Sequence, residues 1–185
     1  MCYFDGHVRE LGAVNQNKLD RLTNKIKAIP AEVWAGEDEK KPNKFGCFTT
    51  TQHIILRFPL DLADHTKSKY YPLWSDFSSA ILPLIKDVTS AYGYKKGKTA
   101  RIILAKLYPG SDIGMHVDSY ASADVPHKIH IPVQSNPHVR FMEEDSDYYL
   151  EPGYAYEVNN KILHGVRNKS AVERIHLIFD YYEAA

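Results

Sequence analysis

Two histidines and an aspartate in the second half of the chain have the types and spacing of metal ligands. In His116-Val117-Asp118 an imidazole and a carboxylate lie two residues apart, so an extended backbone points both to the same side. His164 follows 48 residues later, which leaves room for several strands to return to the same place. Two neutral nitrogen donors and one carboxylate form the facial set that binds Fe(II) in non-haem oxygenases. Taken alone, His116 and Asp118 fit equally well a surface histidine beside an aspartate that caps a turn.

An arginine further along the chain adds to the evidence for this site. Arg174 opens the strand pattern RIHLIFDYY, where its side chain alternates with apolar residues, and we place it on the inward face. A buried guanidinium is costly unless it meets an anion. A small dicarboxylate that chelates iron at one end, such as 2-oxoglutarate, would supply one, because a planar guanidinium pairs with a carboxylate through two hydrogen bonds. The alternative is a carboxylate of the protein, for which Glu157 and Asp180 are candidates.

Apolar spacing predicts two helices that support these residues. Apolar side chains three and four apart predict a helix over 15–29 and a second over 73–92, which Pro83 kinks or breaks. The stretch 36–46 is charged and contains a proline, which favours a surface loop whose acids and lysines face solvent. The first half of the chain is therefore predicted to be largely helical.

The remaining segments read as β-strands. The run TTTQHIILRF from Thr49 predicts a strand that Pro59 closes, and beyond Tyr92 short β-type segments follow one another with turns between them. We predict a mainly β fold of the α+β type, with helices first and an antiparallel β unit after them. The predicted strands of that unit are 100–108, 127–133, 138–142, 154–158, 162–166 and 174–181.

Composition limits the classes of function. With 185 residues, of which 44% are hydrophobic and 25% charged, the chain suits one globular domain. Lys plus Arg and Asp plus Glu each number 23, so neither nucleic acid nor an anionic membrane is an expected partner. No apolar run approaches the roughly 20 residues of a membrane-spanning helix. Cys2 and Cys47 make no disulfide framework and no signal peptide is evident, so we expect a cytoplasmic protein.

The order of motifs in the second half resembles one enzyme family. From Leu104 to Asp180 the chain has LYPG leading to HVD, then KIHIPV, EPGYAYEVNN, HGVRN and RIHLIFD. This series resembles the aspartyl/asparaginyl β-hydroxylase family of Fe(II)/2-oxoglutarate oxygenases. The resemblance implies a double-stranded β-helix, a cupin-like jelly roll, with the N-terminal helices packed on one sheet. It also implies a single oxygenase domain over 1–185, in which 1–95 gives helical support and the first strands and 96–185 the catalytic jelly-roll core.

The resemblance also assigns the iron and co-substrate ligands. His116, Asp118 and His164 would bind the iron, and Arg174 would bind the distal carboxylate of 2-oxoglutarate. Animal peptidyl members of the family have glycine in place of the aspartate ligand. An open ligand position is what halogenating oxygenases use to seat chloride, so Asp118 argues for hydroxylation.

Three further residues are candidates for the same pocket. His130 matches a family histidine that contacts the co-substrate, and Lys128 stands where some members have an arginine that holds an acidic substrate. Tyr108, directly before a Pro-Gly turn, is a candidate to line the pocket, with packing in the core as the alternative. We expect the loops 36–46 and 119–126 to form the rim.

The expected activity is hydroxylation of an unactivated C–H bond. Fe(II), 2-oxoglutarate and O2 would be required, with succinate and CO2 as co-products. The substrate would be a small-molecule amino acid or a side chain of a protein or peptide. Two alternatives stay open: a non-catalytic jelly-roll module that binds a metal or ligand, and a cupin enzyme that does not use 2-oxoglutarate.

Overall fold

A computed structural model describes residues 4–42, 44–118 and 120–185, in which the chain forms three α-helices and eleven β-strands. The helices are α1 Gln16–Lys27, α2 Ala31–Glu39 and α3 Trp74–Thr89. The strands are β1 Val8–Ala13, β2 Thr51–Asp61, β3 Asp64–Tyr70, β4 Gly97–Leu107, β5 Asp112–His116, β6 His127–Gln134, β7 Val139–Glu143, β8 Asp147–Tyr148, β9 Tyr154–Val158, β10 His164–Asn168 and β11 Arg174–Glu183. In this part of the chain, no helix combines the length and hydrophobicity required to cross a membrane.

The strands form two antiparallel sheets around a shared interior. The larger sheet has the order β1-β9-β6-β11-β4-β2-β3, and the smaller has the order β5-β10-β7-β8. Apolar side chains from both sheets pack together between them, among them Leu107 of the larger sheet and Phe141 and Val166 of the smaller. This is the predicted double-stranded β-helix, or jelly roll, and the mainly β fold class is confirmed.

All three helices pack on the outer face of the larger sheet, as predicted. The Asn15 side chain accepts a hydrogen bond from the Lys18 backbone N–H and so caps α1, whose buried residues lie on one face. Helix α3 packs through Ile81 and Leu84 against the same core, to which β11 contributes alternate residues. The core members of β11 are Ile175, Leu177, Phe179 and Tyr181. The residues between them on β11 therefore face the interior of the jelly roll.

Pro83 does not break α3. The helix continues from Trp74 to Thr89 with the proline inside it. Ile81 before the proline and Leu84 after it are both 0% exposed and belong to one cluster. Packing on both sides of Pro83 thus holds one helix across a residue that cannot donate a backbone hydrogen bond. The predicted break is wrong.

Several elements differ from the prediction because they lack a clear apolar pattern. The predicted loop 36–46 begins inside α2, which is anchored by the buried Trp34. The edge strands β1 and β3 are polar and largely exposed, so neither shows an alternation of burial. β2 runs through Pro59 to Asp61 instead of ending there, with an irregular register at that point.

The packing of α3 predicts that two leucines on either side of Pro83 differ widely in their contribution to the free energy of unfolding. Leu84→Ala should lower the free energy of unfolding by about 2–5 kcal/mol, because it leaves a cavity between helix and sheet. Leu82→Ala on the same helix is the control, since Leu82 is 51% exposed and should change it by less than about 1 kcal/mol. Urea unfolding followed by circular dichroism measures both; equal losses would contradict this packing.

Candidate active site

His116, Asp118 and His164 meet at the edge of the smaller sheet. His116 ends β5 and lies opposite His164, the first residue of β10, in the antiparallel register. Asp118 follows two residues later, and its backbone N–H donates to the Asn160 carbonyl at 3.0 Å. One ligand atom from each of the three side chains lies within 4.8 Å of the other two. The structure therefore brings together the three residues predicted to bind iron.

Both histidines are held in the tautomer that a metal requires. His116 Nδ1 lies 2.8 Å from the Gly114 carbonyl, and His164 Nδ1 lies 2.9 Å from the Ile162 carbonyl. A carbonyl oxygen only accepts hydrogen bonds, so each Nδ1 carries the proton and each Nε2 keeps its lone pair. Burial lowers the pKa of His164, which favours the neutral ring. Two neutral imidazoles with free Nε2 atoms and one carboxylate fit a divalent metal.

Lys128 holds the carboxylate of this set. Its Nζ lies 3.0 Å from Asp118 Oδ2, whereas Asp118 Oδ1 lies 3.8 Å from His116 Nε2. Burial alone would raise the pKa of Asp118, but Lys128, His164 and Arg101 together outweigh it, and the pKa lies below its ordinary range. One oxygen of Asp118 is thus engaged by a cation while the other faces the histidines.

Arg174 is buried in the same cavity without an ion-pair partner among the described residues. It is 2% exposed, and its Nε has no hydrogen-bond partner there. Burial lowers its pKa to about 9, so the guanidinium still carries its charge at neutral pH. Both carboxylates considered as partners are engaged elsewhere. Glu157 pairs with Arg9 and His127, and Asp180 with Lys128 and Arg101.

Two more histidines surround the Arg174 guanidinium. Arg174 Nη2 donates to His176 Nδ1 at 2.7 Å, which leaves the proton of that ring on Nε2. His130 lines the cavity, and its buried Nδ1 has no partner among the described residues. Burial and the positive charge of Arg174 keep the pKa of both rings well below its ordinary value. Neither neutral ring offsets the charge of Arg174.

A row of alternating charges crosses the larger sheet at the Asp118 end of the cavity. In the strand register Asp180 lies between Lys128 and Arg101. Asp180 Oδ1 is 3.1 Å from Lys128 Nζ, and Asp180 Oδ2 is 3.4 Å from Arg101 Nη1. We call Lys128, Asp180 and Arg101 the charged row. Arg101 was not among the predicted site residues, although the alternation that singled out Arg174 also puts Arg101 on the inward face of its strand.

The cavity that contains these groups is mostly apolar. It encloses about 920 Å³, including the space at its mouth. Phe45 and Tyr120 contact each other across it, with ring centroids 5.4 Å apart, and Phe48 lies 5.5 Å from the His116 ring. These aromatics come from the segment after α2 and from the predicted rim loop 119–126. Phe45 and Tyr120 lie on the two loops that were expected to form the rim, 36–46 and 119–126, but no pattern in the sequence singled out these two side chains.

One predicted pocket residue lies away from the cavity, and two positions in the expected rim loops are not described. Tyr108 is not among the residues that line the cavity; its backbone N–H bonds to Thr50, and burial raises the pKa of its hydroxyl. Asn43 and Ser119, which belong to the expected rim loops, lie outside the described residues, as does Cys2. Cys47 is a free thiol.

The segment 36–46 faces solvent only in part. Glu39, Lys40 and Lys44 are exposed as expected, whereas Asp38 and Lys41 are not. Lys41 is 8% exposed and its Nζ lies 2.8 Å from Asp38 Oδ1. The same Asp38 oxygen accepts from the backbone N–H of His53, a residue of the cavity wall, at 2.7 Å. Burial alone would raise the pKa of Asp38, but hydrogen bonds from His53 and Lys41 hold it at about 2. These bonds tie α2 to β2 beside the cavity.

The fold and the site together define a class. A jelly roll that presents two histidines and one aspartate to a common point, beside a deeply buried arginine, has the architecture of a non-haem iron oxygenase.

The sequence profile of the family described as aspartyl/asparaginyl beta-hydroxylase matches residues 78–184, more than half of the chain. The chain belongs to this family, as its motifs predicted. The prediction of an enzyme of the Fe(II)/2-oxoglutarate dioxygenase class is also confirmed. No curated protein sequence matches the chain significantly.

Solved structures with low sequence identity share the fold. A 2OG-Fe(II) oxygenase family oxidoreductase from Burkholderia pseudomallei is 15% identical with a TM-score of 0.55, over 100% of this chain and 98% of that one. The viral collagen prolyl hydroxylase of Paramecium bursaria Chlorella virus-1 is 11% identical with a TM-score of 0.58, over 97% and 98%. A Pseudomonas putida prolyl-4-hydroxylase is 14% identical with a TM-score of 0.54, over 97% and 94%.

The geometry of the three ligands predicts one metal site. Anaerobic titration with Fe(II) or Mn(II) should show about one tight site per chain. His116→Ala, Asp118→Ala and His164→Ala should each weaken it by more than about 100-fold, because each removes a direct ligand. His138→Ala, an exposed histidine, is the control and should leave the affinity unchanged. Tight binding that survives loss of both His116 and His164 would contradict the site.

The Asp38 contacts predict a stability that depends on pH. The folded-state pKa of about 2 lies below the unfolded value near 4, so Asp38 stabilises the fold above about pH 4 and loses this effect as the pH falls toward 2. Asp38→Asn should cost about 1–2 kcal/mol at pH 7 and progressively less at pH 4 and 3. Urea unfolding measures the difference, with Asp145→Asn at an exposed loop as control. A cost that does not change with pH would exclude the ionic contribution.

Proposed function

We propose that the chain is an Fe(II)- and 2-oxoglutarate-dependent hydroxylase of an unactivated C–H bond. His116, Asp118 and His164 bind the iron, and Arg174 binds the distal carboxylate of 2-oxoglutarate. His130, whose ring lies beside Arg174 in the cavity, contacts the same co-substrate. The substrate is an amino acid or a side chain of a protein or peptide. Two of the solved structures described above are prolyl hydroxylases by name, which supports hydroxylation as the reaction.

The observation that carries this proposal is the unpaired Arg174. A guanidinium that is 2% exposed and has no protein carboxylate beside it is costly in the unliganded protein. A ligand carboxylate removes that cost through a bidentate pair. Because the same cavity contains the metal ligands, a molecule with a metal-chelating end and a distal carboxylate satisfies both ends of the site.

The chain's own residues prepare the reaction in three ways. The backbone carbonyls of Gly114 and Ile162 fix the two histidine tautomers. Lys128 orients Asp118 by engaging one of its oxygens. The aromatic wall of the cavity limits access of water. A bound iron would supply the oxidising chemistry, in which O2 converts 2-oxoglutarate to succinate and CO2 and the substrate is hydroxylated.

Loss of Arg174 should remove the preference for a dicarboxylate. In Mn(II)-loaded protein, 2-oxoglutarate should bind far more tightly than 2-oxobutyrate, which has the same chelating end without the distal carboxylate. Arg174→Leu should weaken 2-oxoglutarate by about 100-fold, about 2.7 kcal/mol, and leave 2-oxobutyrate and Mn(II) nearly unchanged. Calorimetric titration measures all three affinities. Arg140→Leu, at a half-exposed arginine of β7, is the control.

The same proteins test turnover. Wild-type protein with Fe(II) in air should form succinate from 2-oxoglutarate, and one member of a panel of amino acids and peptides should stimulate it. Arg174→Leu should lose this activity at 2-oxoglutarate concentrations that saturate the wild type. A preference for 2-oxoglutarate that survives in Arg174→Leu would contradict the role of Arg174. If the wild type shows no such preference and forms no succinate, a metal-binding module or a cupin enzyme without 2-oxoglutarate becomes the better interpretation.

A further inference from the structure

Arg101 occupies a different part of the cavity from Arg174. Along β11, Asp180 lies six residues beyond Arg174, a separation of about 20 Å between Cα atoms in an extended strand. Arg101 is the register partner of Asp180 on β4, and it lines the cavity. The co-substrate site proposed at Arg174 therefore leaves the guanidinium of Arg101 without a function.

Arg101 is incompletely paired. Its only described ion pair, with Asp180, involves a single nitrogen at 3.4 Å, longer than an ordinary charge-assisted hydrogen bond. Its Nε is buried and has no hydrogen-bond partner among the described residues. The guanidinium lies 4.8 Å from the centroid of the Phe58 ring, which holds its position without supplying an acceptor. Among the described residues, Arg101 therefore lacks the full set of acceptors that a buried guanidinium requires, and it lines the cavity where a ligand can supply one.

The charges in the cavity point to the sign of that ligand. On the proposed function, the metal dication, Asp118, the 2-oxoglutarate dianion and Arg174 together carry no net charge. The charged row then contains two cations, Lys128 and Arg101, and one carboxylate, Asp180, which is 1% exposed. One positive charge is left over in a mostly apolar cavity. A substrate with a single negative charge neutralises it.

The wall beside Arg101 defines the rest of the ligand. Phe58 stacks on Arg101 and packs with Leu62 in one apolar cluster. Both line the cavity, as do Ala123 and the aromatic pair Phe45 and Tyr120. These side chains offer apolar contact and few hydrogen bonds. They suit an aliphatic or aromatic body, whereas a second charged group on the ligand would be buried without a partner.

We propose that Arg101 forms a second anion subsite that binds the carboxylate of a substrate with an apolar body. This inference rests on the proposed function and narrows its substrate class. Arg101 determines specificity by binding the carboxylate, while the apolar wall holds the carbon chain that is to be hydroxylated. The carboxylate belongs either to a free small molecule or to the C-terminus of a peptide.

Binding measurements test the subsite without relying on turnover. The protein is loaded with Mn(II) and saturating 2-oxoglutarate, so that carboxylate probes cannot occupy the Arg174 site. The probes are hexanoate and N-acetyl-L-leucine, each compared with its amide, and N-acetylglycyl-L-leucine represents a peptide with a free C-terminus. In the wild type at least one acid should bind about tenfold or more tightly than the matching amide. This comparison requires no substitution and is independent of any folding defect.

Two variants then assign the effect to Arg101. Arg101→Leu should bind acid and amide alike while keeping its affinity for Mn(II) and 2-oxoglutarate, and Arg101→Lys should retain part of the preference. The matched control is Arg57→Leu on the neighbouring strand, because Arg57 also stacks on an aromatic ring, at 4.3 Å from Tyr70, but does not line the cavity. The control should keep the full preference.

Each outcome has one interpretation. A preference for acids that is lost in Arg101→Leu supports the subsite, and the relative affinity of N-acetylglycyl-L-leucine and N-acetyl-L-leucine then identifies the source of the carboxylate. Equal binding of acids and amides to the wild type, or a preference that survives in Arg101→Leu, overturns this inference. If Mn(II) and 2-oxoglutarate themselves fail to bind to the wild type, the proposed function fails instead.

Discussion

The free-energy cost of burying the Arg174 guanidinium is the main constraint on the interior of this protein. Arg174 is almost fully buried and keeps its charge at neutral pH, because even its lowered pKa of about 9 lies well above that range. His176 accepts one of its hydrogen bonds but is neutral, so it cannot compensate the charge. A fold that leaves such a group without an anion loses stability at that point. On the proposed function, the carboxylate of the co-substrate offsets that loss, and the arginine then contributes more to binding than to folding.

One face of β11 packs in the apolar core, and the other carries the residues proposed for binding. Residues 175, 177, 179 and 181 pack beneath the helices, where they contribute to the large apolar core. Arg174, His176, Ile178 and Asp180 alternate with them and face the jelly-roll interior. The helices are therefore needed for the site although none of them supplies a metal ligand. They cover the outer face of the larger sheet with apolar contacts. The stability gained there offsets the cost of the charged groups on the inner face.

The sequence predicted that the proposed iron ligands and Arg174 would line one cavity, because residue type and alternation along a strand indicate which side chains face the interior. The same logic identified β4, β6, β9 and β11 closely, since each buries a continuous or alternating apolar pattern. It did not predict α2 or the edge strand β3, because neither shows a clear apolar pattern. It also could not foresee that Lys41 is buried or that Phe45 meets Tyr120. Such contacts are made by irregular segments, and no periodic pattern in the sequence predicts where these segments lie in the fold.

Lys128 shows why a residue type alone does not assign a role. Its position suggested a direct contact with an acidic substrate, yet its ammonium lies between Asp118 and Asp180. A buried lysine between two carboxylates is already neutralised, so its first effect is on the metal ligand that it orients. Once a metal shares the charge of Asp118, the attraction between Asp118 and Lys128 weakens. Part of the lysine's charge then becomes available to the rest of the cavity. Asp118 and the charged row therefore form one electrostatic unit. On the proposed function, metal binding at Asp118 changes the charge that a substrate contacts in the cavity.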